Sequence, residues 1–350
     1  MRPLLLLTLF ATALCAQDVA LVHARIYTNP DAAPIADGTI IVRDGWIAAV
    51  GPSSEIKLPE NVRAIDCSGL TAMAGFWNSH VHFTEDKWRD ARSAPTARLT
   101  AQLVEMLVSH GFTSAFDTGS DTVNTIALRE RIRMAEVPGP LILTAGTPLA
   151  PENGTPYYVK PVRLPELKTP DEARQFVRER LNQGADAIKV FSGSWISKEK
   201  TVTMPVEIVS AVTDEAHRYA LPVFAHPSDS AGVRSAVEGH VDILAHSEEV
   251  PGVIEPAIMA RMKEQNMALI PTLKLFSKDD TLPNILRQVK NYADVGGDIL
   301  FGTDAGYITD YDPTAEYELM AKAGLSFPQI LASLTTAPSA RFGSVRSHRW

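Results

Sequence analysis

The spacing of apolar positions divides the chain in two. Over residues 18–70 short apolar runs are broken by turn residues. Two of them, Gly38-Thr39-Ile40-Ile41-Val42-Arg43 and Trp46-Ile47-Ala48-Ala49-Val50-Gly51, flank Asp44-Gly45. Asp-Gly between two such runs is the strongest short-range hairpin signal, because both central turn positions need positive φ. The segment predicts a small β domain, too short to hold a comfortable core of its own. From Thr71 onward apolar runs alternate with helical stripes. Eight runs predict strands, at 70–83, 112–118, 140–149, 185–192, 222–226, 241–246, 267–276 and 298–303. Between them Leu99, Leu103, Met106 and Leu107 keep the i, i+4, i+7, i+8 spacing of one helical face. A second helix is announced by Thr169-Pro170-Asp171-Glu172, which supplies a capping threonine, a first-turn proline and a glutamate three residues after the cap. Phe176, Val177 and Leu181 form its apolar face and Gly184 its stop.

Eight nearly continuous apolar strands separated by helices imply an α/β fold with a parallel sheet buried on both faces. The span from Thr71 to Ala340 is about 270 residues, against roughly 250 for a (β/α)8 TIM barrel, which is the predicted architecture. A doubly wound sheet is the alternative, but no Gly-x-Gly-x-x-Gly follows the first strand. The expected organisation is a signal peptide at 1–16, a small β-sandwich-like domain at 18–70, the barrel at 71–343 and an irregular tail at 344–350.

Composition narrows the function classes. Hydrophobic residues are 45% and charged residues 21%, enough apolar mass for a sizeable core. Thirty-three basic and 41 acidic residues give a net charge of −8, with no basic stripe, which argues against a nucleic-acid partner. Two cysteines, Cys15 and Cys67, exclude a disulfide framework and a cysteine-built zinc site. Arg2, the apolar run at 4–10 and small residues through Ala16 read as a secretory leader, too short to span a bilayer. No later segment is apolar enough to span, so an exported protein is expected, periplasmic or secreted.

The candidate chemistry lies at strand ends. His80 and His82 close the first run, two residues apart, which in a strand puts both rings on one face about 6.6 Å apart along the chain. Two half-buried histidines would look the same. Lys189 sits inside the apolar run Ala187-Ile188-Lys189-Val190-Phe191, where an amine is costly unless it is paired, reaches water or is chemically consumed. Reaction with carbon dioxide would make it an anionic carbamate. His226 closes the fifth run, His246 the sixth, and Asp304 the eighth, in Phe301-Gly302-Thr303-Asp304-Ala305-Gly306. In a barrel such ends converge on one rim, so the six together read as a metal site. Tyr157, Tyr158, Trp195 and Tyr307 fall in loops after strands, and the proline-rich segment 146–168 reads as a lid, a binding loop or a surface excursion. Lys160, Arg163 or Lys274 could meet a substrate carboxylate, although surface lysines are the ordinary explanation. The remaining histidines, His23, His110, His217, His240 and His348, read as bland and without functional partners.

Taken as a set, His80-Val81-His82, Lys189, His226, His246 and Asp304 resemble the amidohydrolase superfamily, on the branch near imidazolonepropionase, from the N-terminal β segment to about Phe342. The resemblance implies that His80, His82 and Asp304 hold one divalent ion, that His226 and His246 hold a second, and that carboxylated Lys189 bridges them. Zinc is the expected metal, with manganese, cobalt or iron compatible and a single ion as the alternative. Such a site would acidify water, with Asp304 taking its proton and passing it to the leaving nitrogen. The implied function is hydrolysis of a C–N bond in an amide, cyclic amide or small peptide. A dipeptidase or carboxypeptidase-like relative and a lactone or phosphoester hydrolase are alternatives on the same residues. Relatives continue past the last barrel helix into strands that complete the small β domain. Here Ser339-Ala340-Arg341-Phe342-Gly343 is followed only by a short tail, so a C-terminal truncation is expected, with an inactive relic as a further alternative. A small β domain with open edges favours a homo-oligomer.

Overall fold

The computed structural model describes residues 18–250 and 252–347. The expected leader and the last three tail residues lie outside the described residues. Two compact units make up the chain, Met1–Ala74 and Gly75–Trp350.

The first unit is a five-stranded sheet of β1 (Val19–Ile26), β2 (Ile35–Arg43), β3 (Trp46–Pro52), β4 (Arg63–Asp66) and β5 (Thr71–Ala72). The order is β3-β2-β1-β4, with β5 also pairing β1. The β2–β3 hairpin turns at Asp44 and Gly45, whose φ angles of 49° and 81° are the positive pair a tight hairpin needs. Its core is small: Ala24, Ile26 and Cys67, with Leu21, Ile35, Ile40 and Ala72 against them. Trp46 is 79% exposed, and Ile47, Val50, Ile65 and Leu70 are exposed as well.

In the second unit eight parallel strands alternate with helices. They are β6 (Phe76–Val81), β7 (Phe112–Asp117), β8 (Leu141–Thr144), β9 (Ile188–Phe191), β10 (Val223–His226), β11 (Ile243–Ala245), β12 (Ala268–Ile270) and β13 (Asp298–Ile299). They pair as two arcs, β6-β7-β8 and β9-β10-β11-β12-β13. Backbone hydrogen bonds run between the arcs at both junctions. Asp186 N–H donates to the Thr144 carbonyl (2.7 Å), and Ser79, Asp304 and His82 link the residues after β13 to β6 through Phe301, His80 and Ala305 at 2.7–2.9 Å. One inner cluster takes an apolar residue from, or next to, every strand: Trp77, Phe116, Leu143, Ala187, Phe224, Ile243, Ala268 and Leu300, with Phe342 added.

The helices follow the local signals. α1 (Thr96–Met106) buries Leu99, Leu103 and Met106. α3 (Pro170–Gln183) starts where Thr169 Oγ1 accepts from Glu172 N–H at 3.2 Å and ends at Gly184 with φ 95°. The others are α2 (Thr122–Arg133), α4 (Val206–His217), α5 (Ser230–Glu238), α6 (Pro256–Glu264), α7 (Leu282–Asp294), α8 (Thr314–Lys322), α9 (Phe327–Leu334) and α10 (Thr336–Ser347). α10 carries helix to Ser347, into residues read from sequence as an irregular tail.

Three strand readings are corrected. The run 70–83 splits, because Thr71–Ala72 pairs with β1 in the first unit and a new strand begins at Phe76. The run 267–276 stops at Ile270: Pro271 cannot donate to the ladder and Thr272 takes a left-handed φ of 46°, so Leu273–Phe276 is a 3₁₀ turn. The run 140–149 ends at Thr144, and Gly146 follows with positive φ. Segment 146–168 is folded down: Ala150–Pro151 pairs with Glu166–Leu167, and Tyr158 and Val159 pack on Ala150, Leu164 and Phe191. His23 and His217 have partners after all, Asp37 at 3.1 Å and Asp242 at 2.9 Å. No helix among the described residues is long and apolar enough to cross a membrane.

Candidate metal centre

The carboxyl ends of the strands bring the sequence-selected residues together. His80 is the fifth residue of β6, and His82 stands one residue past its end. Their rings meet edge to face with centroids 5.2 Å apart. His226 ends β10 and His246 follows β11; the His80–His246 and His226–His246 centroids are 4.5 and 4.6 Å apart. Asp304 Oδ1 lies 2.9 Å from His82 Nε2 and 3.3 Å from His80 Nε2. Ligand-competent atoms of His80, His246 and Asp304 all lie within 4.8 Å of one another.

The local backbone is bent to achieve this. His246 (φ 85°) and Asp304 (φ 58°) both occupy the left-handed region, a cost that other side chains of the fold must sustain and that clusters at functional sites. Glycines make the close approach feasible: a Cβ on Gly306, itself at φ 99°, would lie 1.8 Å from the His82 carbonyl, and one on Gly302 would lie 2.7 Å from His80 Cβ.

A second set of groups fixes ring orientation. Gly119 carbonyl accepts from His82 Nδ1 at 2.7 Å, which leaves Nε2 as the lone pair facing Asp304. Buried Asp117 holds that loop, accepting from Gly119 N–H (3.1 Å), Ser120 Oγ (2.6 Å) and Thr144 Oγ1 (2.6 Å). His246 Nδ1 pairs with Thr272 Oγ1 at 2.6 Å.

Electrostatics favour three neutral imidazoles, those of His80, His226 and His246, and one anion. Burial, helped by the Lys189 charge, lowers His80 to about 3. Burial also holds His226 and His246 well below the usual imidazole range. Burial opposes charge on His82 too, but the Asp304 carboxylate, its Oδ1 2.9 Å from Nε2, outweighs it and raises that ring. Asp304 resists its own burial through His80 and His82 and stays well below the usual carboxylate range. Lys189, 3% exposed, is lowered by burial to about 7, against the pull of Asp304 and Asp117. Both ring nitrogens of His80, Nε2 of His226 and Oδ1 of Asp304 are buried without a hydrogen-bond partner. Each such atom costs about 1–3 kcal/mol unless something satisfies it. Imidazole nitrogens plus a carboxylate, aimed inward and unpartnered, fit a divalent cation.

The other selected residues divide. Tyr158 stacks edge to face with Tyr157 (5.5 Å) and Tyr307 (5.6 Å), and burial followed by the charge of Glu249 pushes its phenol well up. Trp195 Nε1 donates to Glu249 Oε2 at 2.9 Å. Lys274 is already committed: its ammonium donates to the Asp310 and Asp312 carbonyls at 2.8 and 2.7 Å and pairs with the Asp310 carboxylate at 2.9 Å, because the turn after Pro271 aims it there. That arrangement spends the three donors expected for a substrate carboxylate. Arg163 pairs with Glu166. Sequence reasoning missed Asp117 and Glu249. Asp117 ends the second strand, where the other ligands were sought, and Glu249 stands three residues after His246. A cavity of about 810 Å³, lined by His217, Asp242, Asp298 and Arg341, opens at the opposite, amino ends of the strands.

A parallel α/β fold whose strand ends converge on inward-facing imidazoles and a carboxylate defines a class, the metal-dependent hydrolases. Within it the chain matches the model of the amidohydrolase family over residues 71–344 and belongs to that family. It is therefore a hydrolase of C–N bonds. Solved structures agree in fold. A protein from Bifidobacterium longum designated a prolidase is 26% identical, covers 94% of this chain and 84% of its own, and superposes with a TM-score of 0.78. An Xaa-Pro dipeptidase with bound methionine gives 21% identity, 94% and 89% coverage, and a TM-score of 0.78. Molinate hydrolase gives 17%, 95% and 86%, and 0.73. No curated protein matches the chain significantly.

Proposed function

We propose that the chain hydrolyses amide bonds of small peptides or amino-acid amides, at a centre of two divalent cations in a (β/α)8 barrel. The observation that carries this reading is the convergence of His80, His82, His246 and Asp304, with both His80 ring nitrogens and Asp304 Oδ1 buried and without a hydrogen-bond partner. The inner cluster drawing on all eight strands, and the hydrogen bonds across both junctions, support barrel closure. His80, His82 and Asp304 would hold one cation and His226 and His246 the other. Lys189, its amine lowered to about 7, would lose one proton to become the neutral amine, bond through nitrogen to the carbon of CO2 and release a second proton to water, giving an anionic carbamate that would serve as a further ligand. Zinc fits this donor set.

When bound, the cations supply an acidified water and positive charge for a developing oxyanion. Asp304 stands where it can take the water's proton and return it to the leaving nitrogen, which departs poorly unless protonated. Gly119 keeps His82 in the tautomer that presents Nε2. Tyr158, Trp195 and Tyr307 would line the approach. One observation favours a single-cation reading: among the described residues, His80, His246 and Asp304 are the group whose ligand atoms lie in mutual reach. The run at 4–10 supports export of the mature protein.

Metal content per chain, with turnover of a panel of dipeptides, cyclic amides and lactones, tests the reading. About two ions and amide turnover are expected; one ion supports the single-cation form. Lactone-only turnover would move the bond specificity elsewhere, and no ion with no turnover would refute the proposal.

A further inference from the structure

Glu249 lies beside the centre and has no role in the reaction described above. Its Oε2 accepts from Trp195 Nε1 at 2.9 Å, so the carboxylate is fixed in place. Its Oε1 lies 3.6 Å from His226 Nε2, an atom that is buried and without a hydrogen-bond partner. The ligand atoms in mutual reach are those of His80, His246 and Asp304, and Glu249 is outside that group. Its side chain is 21% exposed, against 5% for Asp304, which puts it at the accessible edge of the centre. The carboxylates that act on it are Asp229, Asp279 and Asp304, and among the described residues no lysine or arginine pairs with it. An ammonium at that edge would offset the repulsion among these carboxylates.

We propose that Glu249, held by the Trp195 indole, binds the free α-ammonium of a dipeptide or amino-acid amide while the scissile carbonyl sits at the imidazole cluster. This rests on the amide-hydrolase reading and narrows its substrates to those with an unblocked amine. The distances agree. In an α-amino amide the amine nitrogen lies two bonds from the carbonyl carbon, about 2.5 Å away. A carbonyl beside His226 therefore brings the amine within reach of a carboxylate 3.6 Å from that ring. Glu249 also acts electrostatically on the phenols of Tyr158 and Tyr307, whose rings are 5.6 Å apart. Their faces suit an ammonium.

The test compares kcat/KM for matched dipeptides and their N-acetyl forms on metal-loaded protein, for wild type, Glu249→Gln and Trp195→Phe, with metal content measured on each. Wild type should favour the free amine by roughly 10–100-fold, the scale of one charge-assisted contact. Both variants should collapse that ratio, through KM more than kcat, at unchanged metal content. Equal turnover of acetylated and free substrates by wild type overturns the proposal and leaves the hydrolase reading standing. Loss of a bound ion in Glu249→Gln overturns it in favour of a ligand role. Absence of turnover with every amide defeats the hydrolase reading and this one with it.

Discussion

Asp304 faces two histidines and is held ionised by them against its own burial. Asparagine has the same shape, tolerates the left-handed φ of 58° and keeps one oxygen for a cation, but cannot accept a proton. Asp304→Asn should therefore keep the fold and most of the bound metal while kcat falls roughly 10²–10⁴-fold. Near-full turnover with metal retained would remove Asp304 from proton transfer. His217 gives a pH-dependent case away from the centre. The Asp242 hydrogen bond raises its pKa above 6.5 despite partial burial. The folded state thus holds the proton more tightly than the unfolded one. The pair's stabilisation is complete below pH 6.5 and fades as pH rises through the folded pKa. The histidine is 43% exposed, so solvent screening limits the effect to roughly 0.2–1 kcal/mol. Unfolding free energies from urea titrations on either side of neutrality should differ by that much more in wild type than in His217→Gln; an equal difference would mean the pair contributes nothing.

Among the elements, α10 is the helix that reaches the inner cluster, through Phe342. Phe342 is fully buried, with its ring centroid 4.8 Å from Phe116, 5.6 Å from Trp77 and 6.0 Å from Phe224. Removing that ring leaves a cavity beside Phe116, Trp77 and Phe224, so Phe342→Ala should cost about 3–5 kcal/mol. A chemical-denaturation loss under about 1 kcal/mol would show that the helix can be spared. Element starts and stops were legible where one residue type decides them: Thr169, Gly184 and Asp44-Gly45 act through local backbone chemistry. Strand ends were less legible. The run 267–276 looks mostly apolar; Pro271 is the one sequence sign of a stop, and the left-handed φ of Thr272 shows that the second half turns away. Likewise Thr71–Ala72 looks like the start of β6 until its pairing with β1 is seen.

For the whole molecule, alternation of apolar runs with helical stripes carried the α/β architecture, and the ends of those runs carried the candidate site. His80, His226, His246 and Asp304 were readable because a polar residue closing an apolar strand stands out. Asp117 closes a strand in the same way, yet its partners are loop groups that no spacing displays. Glu249 and the saturation of Lys274 depend on loop conformations, which no periodicity encodes. The central claim is that widely separated strand ends hold divalent cations at His80, His82, His226, His246 and Asp304. Its most direct test is an anomalous difference map from crystals of the metal-loaded protein, collected at the metal's absorption edge. Strong density bonded to Asp304 and the imidazoles is the expected result. A featureless map at that position, in protein shown to have been exposed to excess metal, would contradict the account.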